Sequence, residues 1–368
     1  SIRKKDMMDK KRLDLLKRLS EVNGISGAER DVARLVKKEL TGVVDTIEFD
    51  NLGSLIATRN GKAGAPRVLL AAHMDEVGFV VKQIEKGGYL RIHNVGGWWG
   101  HVVLAHEWTI TTRDGKEYIG VTGAQPPHGM PPEQRNKVLE IKDIYIDMGV
   151  SSEEDIKKLG IKVGDTVTPH QNFRVLNDGK TLLGKAWDDR VSVAVGIEVL
   201  KRLQAEGHGA TVSLAATVQE EVGLRGARTA AYLAKPDLAF ALDVTMSYDL
   251  PGSPAMDTKL GAGVALSIMD GSVICHRGLF DHVEKVAKAK GIKYTYDLLT
   301  AGGTDSGEIH KSFDGVVNMT ISIPCRYFHS HVSLVHADDV DATVDLLVEV
   351  IKGVDWDLLN KLKASKYE

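Results

Sequence analysis

The chain has 368 residues, 43% of them hydrophobic and 26% charged, with a formal net charge of -3. These figures suit an ordinary globular protein of two domains or one large one, and near-balanced charge without a long basic run leaves no footprint for nucleic acid or an anionic membrane surface. No apolar segment approaches the roughly 20 residues of a membrane span, the first residues lack a signal peptide's apolar core, and Cys275 and Cys325 make no disulfide framework, so a cytoplasmic, reducing setting is expected.

Leu13, Leu16, Leu19 and Val22 recur at helical spacing over residues 8–22, with Arg3–Lys5 and Lys10–Arg12 supplying the polar face. Ser26-Gly27-Ala28-Glu29 has the spacing of a capping box ahead of the apolar stripe Val32, Leu35, Val36 and Leu40, which predicts a second helix. A strand pair follows over 46–60, and then a continuous apolar run at 67–73 that suits a strand covered on both faces. From 77 to 171 the pattern changes to short β-rich runs at 77–81, 89–95, 107–112 and 117–121, broken by Gly, Pro and Asn, with helical periodicity only over 152–159. Such runs predict a small barrel or sandwich. Pro126 to Pro132 cannot continue a helix or central strand and reads as an exposed or ligand-facing loop. After residue 180 helices (189–206, 223–233, 278–290, 305–311, 338–353) alternate with strands (210–218, 237–244, 263–269, 293–299, 315–323). The expected fold is α/β: a helix-flanked mixed sheet formed by residues 1–75 and 172–368, carrying an inserted small β-barrel at 76–171.

Five segments place acids or histidines beside these strands: His73-Met74-Asp75-Glu76, Trp187-Asp188-Asp189-Arg190 before a helix, Glu220-Glu221, Asp243 at a strand end, and His329-Ser330-His331. Ligands of open α/β sheets bind beyond the carboxyl ends of the strands, so these segments are expected to converge. Histidine with Asp and Glu, without cysteine, is the donor set of catalytic zinc, cobalt or manganese. Two imidazoles and three carboxylates suffice for two cations sharing a bridging carboxylate, which leaves one Glu of the pair as general base. Residue types alone leave open which Glu of the pair is the base, which of Asp188 and Asp189 binds metal while the other caps the helix or pairs with Arg190, and whether His329 or His331 is the ligand. Other histidines, among them His93, His101, His106, His128, His170 and His310, read as structural or surface residues. Gly302 to Gly307 lacks the lysine of a phosphate loop, and there is no G-x-S-x-G nucleophile motif.

Taken in order, Ala72-His73-Met74-Asp75-Glu76-Val77-Gly78-Phe79, Gly184 to Arg190, Val218 to Gly223, Ala241 to Thr245, Gly302-Gly303-Thr304-Asp305 and Arg326-Tyr327-Phe328-His329-Ser330 resemble the motifs of the tetrahedral (TET-type) dinuclear metallo-aminopeptidases, the glutamyl aminopeptidase or cellulase M-like family. The resemblance spans nearly the whole chain. It implies two divalent metal ions per subunit, zinc or cobalt, with His73 and Asp243 on the first, Glu221 and His329 on the second and Asp188 bridging them. It implies Glu220 as general base and Asp75 as the carboxylate that orients His73. It further implies short peptides as substrates, a barrel used for dimerisation, and a hollow dodecamer built from dimers. The competing readings are a glycoside hydrolase, whose paired carboxylates flank a sugar ring, a deacylase or carboxypeptidase of the same metal-hydrolase clan, and a non-catalytic assembly protein holding its metals structurally. An aromatic content of 6% and unused histidines argue against the first.

Overall fold

A computed structural model describes residues 2–368, with side chains from Asp9 onward; the Arg3–Lys5 side chains of the first helix lie outside the described residues. Eight strands form one mixed sheet in the order Thr46–Phe49, Leu55–Arg59, Thr211–Thr217, Arg67–His73, Leu238–Met246, Val317–Cys325, Val264–Met269, Tyr294–Leu298. The four central strands from Thr211–Thr217 to Val317–Cys325 are mutually parallel. Antiparallel strands flank them on each side. Parallel strands are buried on both faces, which explains their unbroken apolar runs. One face carries helices Ile2–Glu21, Arg30–Leu40, Trp187–Glu206, Arg277–Lys290 and Ala337–Lys352, packed on Leu70, Leu214, Phe240 and Ile321. The opposite face carries Arg225–Ala234 and the short Ser306–Ile309, packed on Leu69, Ala215 and Ala239.

Between strands Arg67–His73 and Thr211–Thr217 the chain builds a closed six-stranded antiparallel barrel, in the order Gly78–Ile84, Tyr89–Val95, Tyr145–Asp147, Glu117–Gly123, Glu107–Thr111, Thr166–Pro169. Closure removes the exposed edges such short strands would otherwise present. Phe79, Leu90, Ile92, Trp108, Ile110, Ile146 and Val167 fill its interior. The proline-rich segment is exposed and forms two tight turns, Pro127–Gly129 and Pro132–Gln134. The sheet with flanking helices and the barrel match the α/β class expected from the sequence.

Four local expectations are corrected. The Ser26/Glu29 capping box does not form: the helix starts at Arg30, and Glu29 stands at its cap without a side-chain hydrogen bond to it, because both side chains are drawn elsewhere, as described below. The strand carrying Asp243 does not end there but runs on to Met246, since its pairing with Val317–Cys325 continues for three more residues. A small sheet of Arg174–Val175, Thr181–Gly184 and Ser333–His336 lies outside the predicted elements, its strands being too short to show a period. A last helix, Trp356–Ala364, follows the predicted one and is capped by Asp355.

Candidate active site

The parallel strands all end at one edge of the sheet, with His73 and Thr217 opposite each other in register. His73 closes its strand, and Asp243 lies on the next strand over. Asp188 opens the helix that crosses beneath, where it and Asp189 depart from helical dihedrals. Glu220 and Glu221 stand in the turn after Thr217, and His329 in the loop after Cys325. Three non-glycine residues take left-handed backbone at or beside these donors: Ala186 (φ 59), Gln219 (φ 54) and His329 (φ 57). Strain of that kind persists only where surrounding contacts over-determine it, and it clusters at functional sites.

The donor atoms close on one another. Asp188 presents Oδ1 at 3.0 Å from His73 Nε2 and Oδ2 at 3.0 Å from His329 Nε2. Glu221 Oε2 is 3.2 Å from His329 Nε2, and Glu221 Oε1 is 3.8 Å from His73 Nε2. Glu220 Oε2 and Asp243 Oδ1 are 3.4 and 3.8 Å from His73 Nε2. Three groups have donor atoms within 4.8 Å of one another: His73, Asp188, Asp243; Asp188, Glu221, His329; and His73, Glu220, Glu221. The first two share only Asp188, which turns one oxygen to each.

Charge is out of balance here. Among the described residues, none of Asp188, Glu220, Glu221 and Asp243 forms an ion pair with a lysine or arginine; their cationic partners are the two imidazoles. Burial, reinforced by neighbouring carboxylates, pushes Glu220 and Asp243 well above the usual carboxylate range and Glu221 up to about 7. Asp189 is likewise raised by burial and by Asp243. Burial opposes charge on the histidines as well, but the carboxylates prevail: Glu220 and Asp188 raise His73, and Asp188 and Glu221 bring His329 to about 11. Asp188, gripped by both rings against the cost of its burial, is held below the ordinary range. Such a set is what one or more divalent cations would relieve, so the residues present fit a metal.

Asp75 has a wider role than orienting an imidazole. His73 Nδ1 is 2.9 Å from the Asp75 carbonyl oxygen and 3.4 Å from its carboxylate. That carboxylate accepts the Ser26 hydroxyl at 2.6 Å and the backbone N–H groups of Glu220 and Glu221, each at 3.0 Å. Asp189 accepts the His73 N–H at 3.1 Å and so supports the ring's backbone, while Arg190 pairs with Glu76. His331 points away: its Nε2 meets the His170 carbonyl at 3.0 Å and its ring stacks on His106 at 4.2 Å. His128 is exposed in the proline-rich turns.

Several neighbours went unread in the sequence. Ser26 and Glu29 were visible as a motif but pointed to a helix cap. Asp305, buried and raised to about 6 by that burial, accepts the Thr217 hydroxyl at 2.6 Å behind the donors. From the barrel, the turn after Tyr89–Val95 forms a wall: a Cβ at Gly96 (φ 86) would stand 2.6 Å from Val77 Cγ1 and 3.4 Å from Glu221 Cβ, and one at Gly97 would be 3.5 Å from His329 Nδ1. At Gly96 the positive φ and the 2.6 Å approach to Val77 admit only glycine, whereas a side chain at Gly97 would begin in ordinary contact with His329. The Gly-Gly step was the one available signal for it.

The profile of the M42 glutamyl aminopeptidase family matches residues 53–346. The glutamyl aminopeptidase of Lactococcus lactis is 33% identical over 95% of this chain and 98% of that protein. The lysyl aminopeptidase of Pyrococcus furiosus is also 33% identical, over 93% of this chain and 98% of its own. Among solved structures, a TET aminopeptidase from a marine-sediment Thaumarchaeota archaeon superposes with a TM-score of 0.94 at 39% identity, covering 96% of this chain and 99% of that one. PhTET1, solved with a dodecamer in the asymmetric unit, has a TM-score of 0.83 at 33% identity, covering 93% of this chain and 99% of that one, and the TET1 peptidase of Pyrococcus horikoshii has the same score and identity. Profile, relatives and folds agree over most of the length: the chain belongs to the M42 glutamyl aminopeptidase family.

Proposed function

We propose that this aminopeptidase removes N-terminal residues from short peptides with two divalent cations, zinc or cobalt, one held by His73, Asp188 and Asp243 and the other by Asp188, Glu221 and His329. The observation that carries the reading is Asp188, whose two oxygens each face a different imidazole at 3.0 Å. When bound, such cations supply Lewis acidity, polarising a scissile carbonyl and lowering the pKa of water. Glu220 belongs to neither of the two groups that share Asp188, yet its carboxylate is in the same space. It accepts the proton of the attacking water and returns it to the leaving amine. Asp75 fixes the backbone of Glu220 and Glu221 and the ring of His73.

The geometry disfavours the glycoside hydrolase reading. Four carboxylates gathered on two imidazoles suit a cation, whereas a glycoside hydrolase needs two carboxyl groups flanking a sugar ring and gives the imidazoles no role.

A pair of substitutions tests the assignment. Glu220→Gln is expected to keep the full metal content, measured by plasma mass spectrometry, while hydrolysis of aminoacyl-p-nitroanilides falls about 10²- to 10⁴-fold. Glu221→Gln is expected to lose metal. Wild-type rates in Glu220→Gln would remove it as the base.

The inserted barrel, residues 76–171, is proposed as the dimerisation unit of a cytoplasmic dodecamer, supported by the dodecameric relative. Among the described residues no helix is long and apolar enough to cross a membrane. Light scattering on the purified chain tests the assembly, and a monomer would overturn it.

A further inference from the structure

The turn that presents Glu220 and Glu221 is held in an unusual way. Its four successive backbone N–H groups, which neither the strand before nor the helix after can satisfy, are each taken by a side chain from elsewhere. Val218 donates to Ser54 Oγ at 3.2 Å, Gln219 to Glu29 Oε2 at 2.8 Å, Glu220 to Asp75 Oδ1 at 3.0 Å and Glu221 to Asp75 Oδ2 at 3.0 Å. Asp75 is in turn fixed by the Ser26 hydroxyl at 2.6 Å. Glu29 is 5% exposed, and Gln219, whose amide it holds, has the left-handed backbone immediately before Glu220. Ser26 and Glu29 therefore reach the turn from the connection between the first two helices, nearly 200 residues away in sequence: Glu29 and Gln219 are separated by 190 positions.

Burying Glu29 beside Asp75 is unfavourable, because both are acidic and burial disfavours charge on either. The hydrogen bond offered to a strained amide is the compensating gain visible in the geometry. A cap on its own helix, the ordinary use of a Ser-x-x-Glu spacing, is given up for it.

We infer that Ser26 and Glu29 are positioning residues for the proton-transfer step: Glu29 locks the Gln219 amide, Ser26 locks Asp75, and together they fix where the Glu220 carboxylate stands. This rests on the reading of Glu220 as the base. Neither residue is among the clustered metal donors, so they act through backbone placement and not through metal binding.

The test is a kinetic cycle on the metal-loaded enzyme. Glu29→Ala is expected to lower kcat by about 10- to 100-fold, the scale of a misplacement near 1 Å, with KM within about 2-fold, and with metal content and oligomer size unchanged. Glu29→Gln, which keeps an oxygen acceptor for the Gln219 amide, restores most of kcat. In a Glu220→Gln background, Glu29→Ala adds less than about 2-fold, because two residues acting through one group are not additive. Ser26→Ala gives the same pattern through Asp75, with Ser26→Thr as its rescue, and serves as the test if Glu29→Ala does not fold. A kcat unchanged in both alanine variants, or a loss equally large in the Glu220→Gln background, overturns the inference. Wild-type activity in Glu220→Gln alone would instead overturn the reading beneath it.

Discussion

Two buried clusters of charge lie side by side and are built on opposite rules. Glu76, three residues after His73, accepts Lys185 Nζ at 2.7 and 2.9 Å, Arg190 Nη2 at 3.2 Å and the Gly24 N–H at 3.0 Å. The remaining Arg190 donors go to the carbonyls of Met74, Leu19, Val22 and Gly24. There the single carboxylate is met by both a lysine and an arginine and nearly all hydrogen bonds are made, which is the condition for an ion pair to be tolerated at zero to two per cent exposure. Around Asp188 the protein gathers four carboxylates on two imidazoles and offers no lysine or arginine within ion-pair distance among the described residues. Burial alone therefore does not mark function, because both clusters are buried. The mark is a group of buried carboxylates that no lysine or arginine among the described residues meets.

If that distinction is right, removing charge has different consequences on the two sides. The largest effect is expected at Asp188, because both proposed cations depend on it: Asp188→Asn should lose both metals and reduce peptide hydrolysis to background. Retention of one tightly held ion per chain would break the bridging assignment. On the compensated side, Lys185→Met should destabilise by about 1 to 3 kcal/mol, since it removes two hydrogen bonds from the buried Glu76 carboxylate while Arg190 stays paired with it. Metal titration of the folded fraction should show affinity close to wild type, and denaturant unfolding should show the loss. Chelation reverses the roles. Stripping metal should leave the Glu76 cluster intact but lower stability by about 2.7 kcal/mol per site under metal at 100 times its dissociation constant, and calorimetry with and without Zn²⁺ or Co²⁺ measures it. Apo and loaded proteins with the same unfolding temperature would mean that the carboxylates need no cation.

The same contrast explains how much was legible in the sequence. The donor segments are legible because most stand at or just beyond strand ends, which in a parallel sheet meet at one edge; topology alone predicts that all five segments converge, but not which residue of each pair is the ligand. Asp188 and His329 needed the family's register, since a helix start or a loop has no period to fix direction. Supporting residues were harder. Glu29 obeys a local rule, capping-box spacing, and the tertiary structure overrides it. Asp305 and Thr217 are joined across 88 positions. Lys185 and Arg190 flank Asp188 in sequence, and nothing in their spacing says that they turn to Glu76. The apolar run 238–242 predicts a strand that ends at Asp243, yet the strand continues to Met246, with the Asp243 carboxylate 3.8 Å from His73 Nε2. Periodicity reveals which faces are buried, but not which buried polar group meets which.

The histidines carry the comparison to its smallest expected effect. His73 and His329 are raised by carboxylates that outweigh burial. His331, three per cent exposed, is lowered from 6.5 to about 3, first by burial and then by His106, Lys185 and His170, the titratable groups around it. Its Nε2–H donates to the His170 carbonyl at 3.0 Å, and Trp108 meets its ring edge-on at 4.9 Å, so it belongs to the junction of barrel and sheet. A neutral folded imidazole with a lowered pKa contributes stability that is complete above about 6.5. Below that the unfolded chain binds a proton the native one refuses, and the contribution is lost as pH falls from about 6.5 toward about 3. His331→Gln keeps a donor for the His170 carbonyl and cannot titrate, so its unfolding temperature should fall less steeply between pH 6.5 and 4 than that of the wild type. Parallel slopes would mean that the junction already accepts the proton, and that His331 belongs with the charged imidazoles after all.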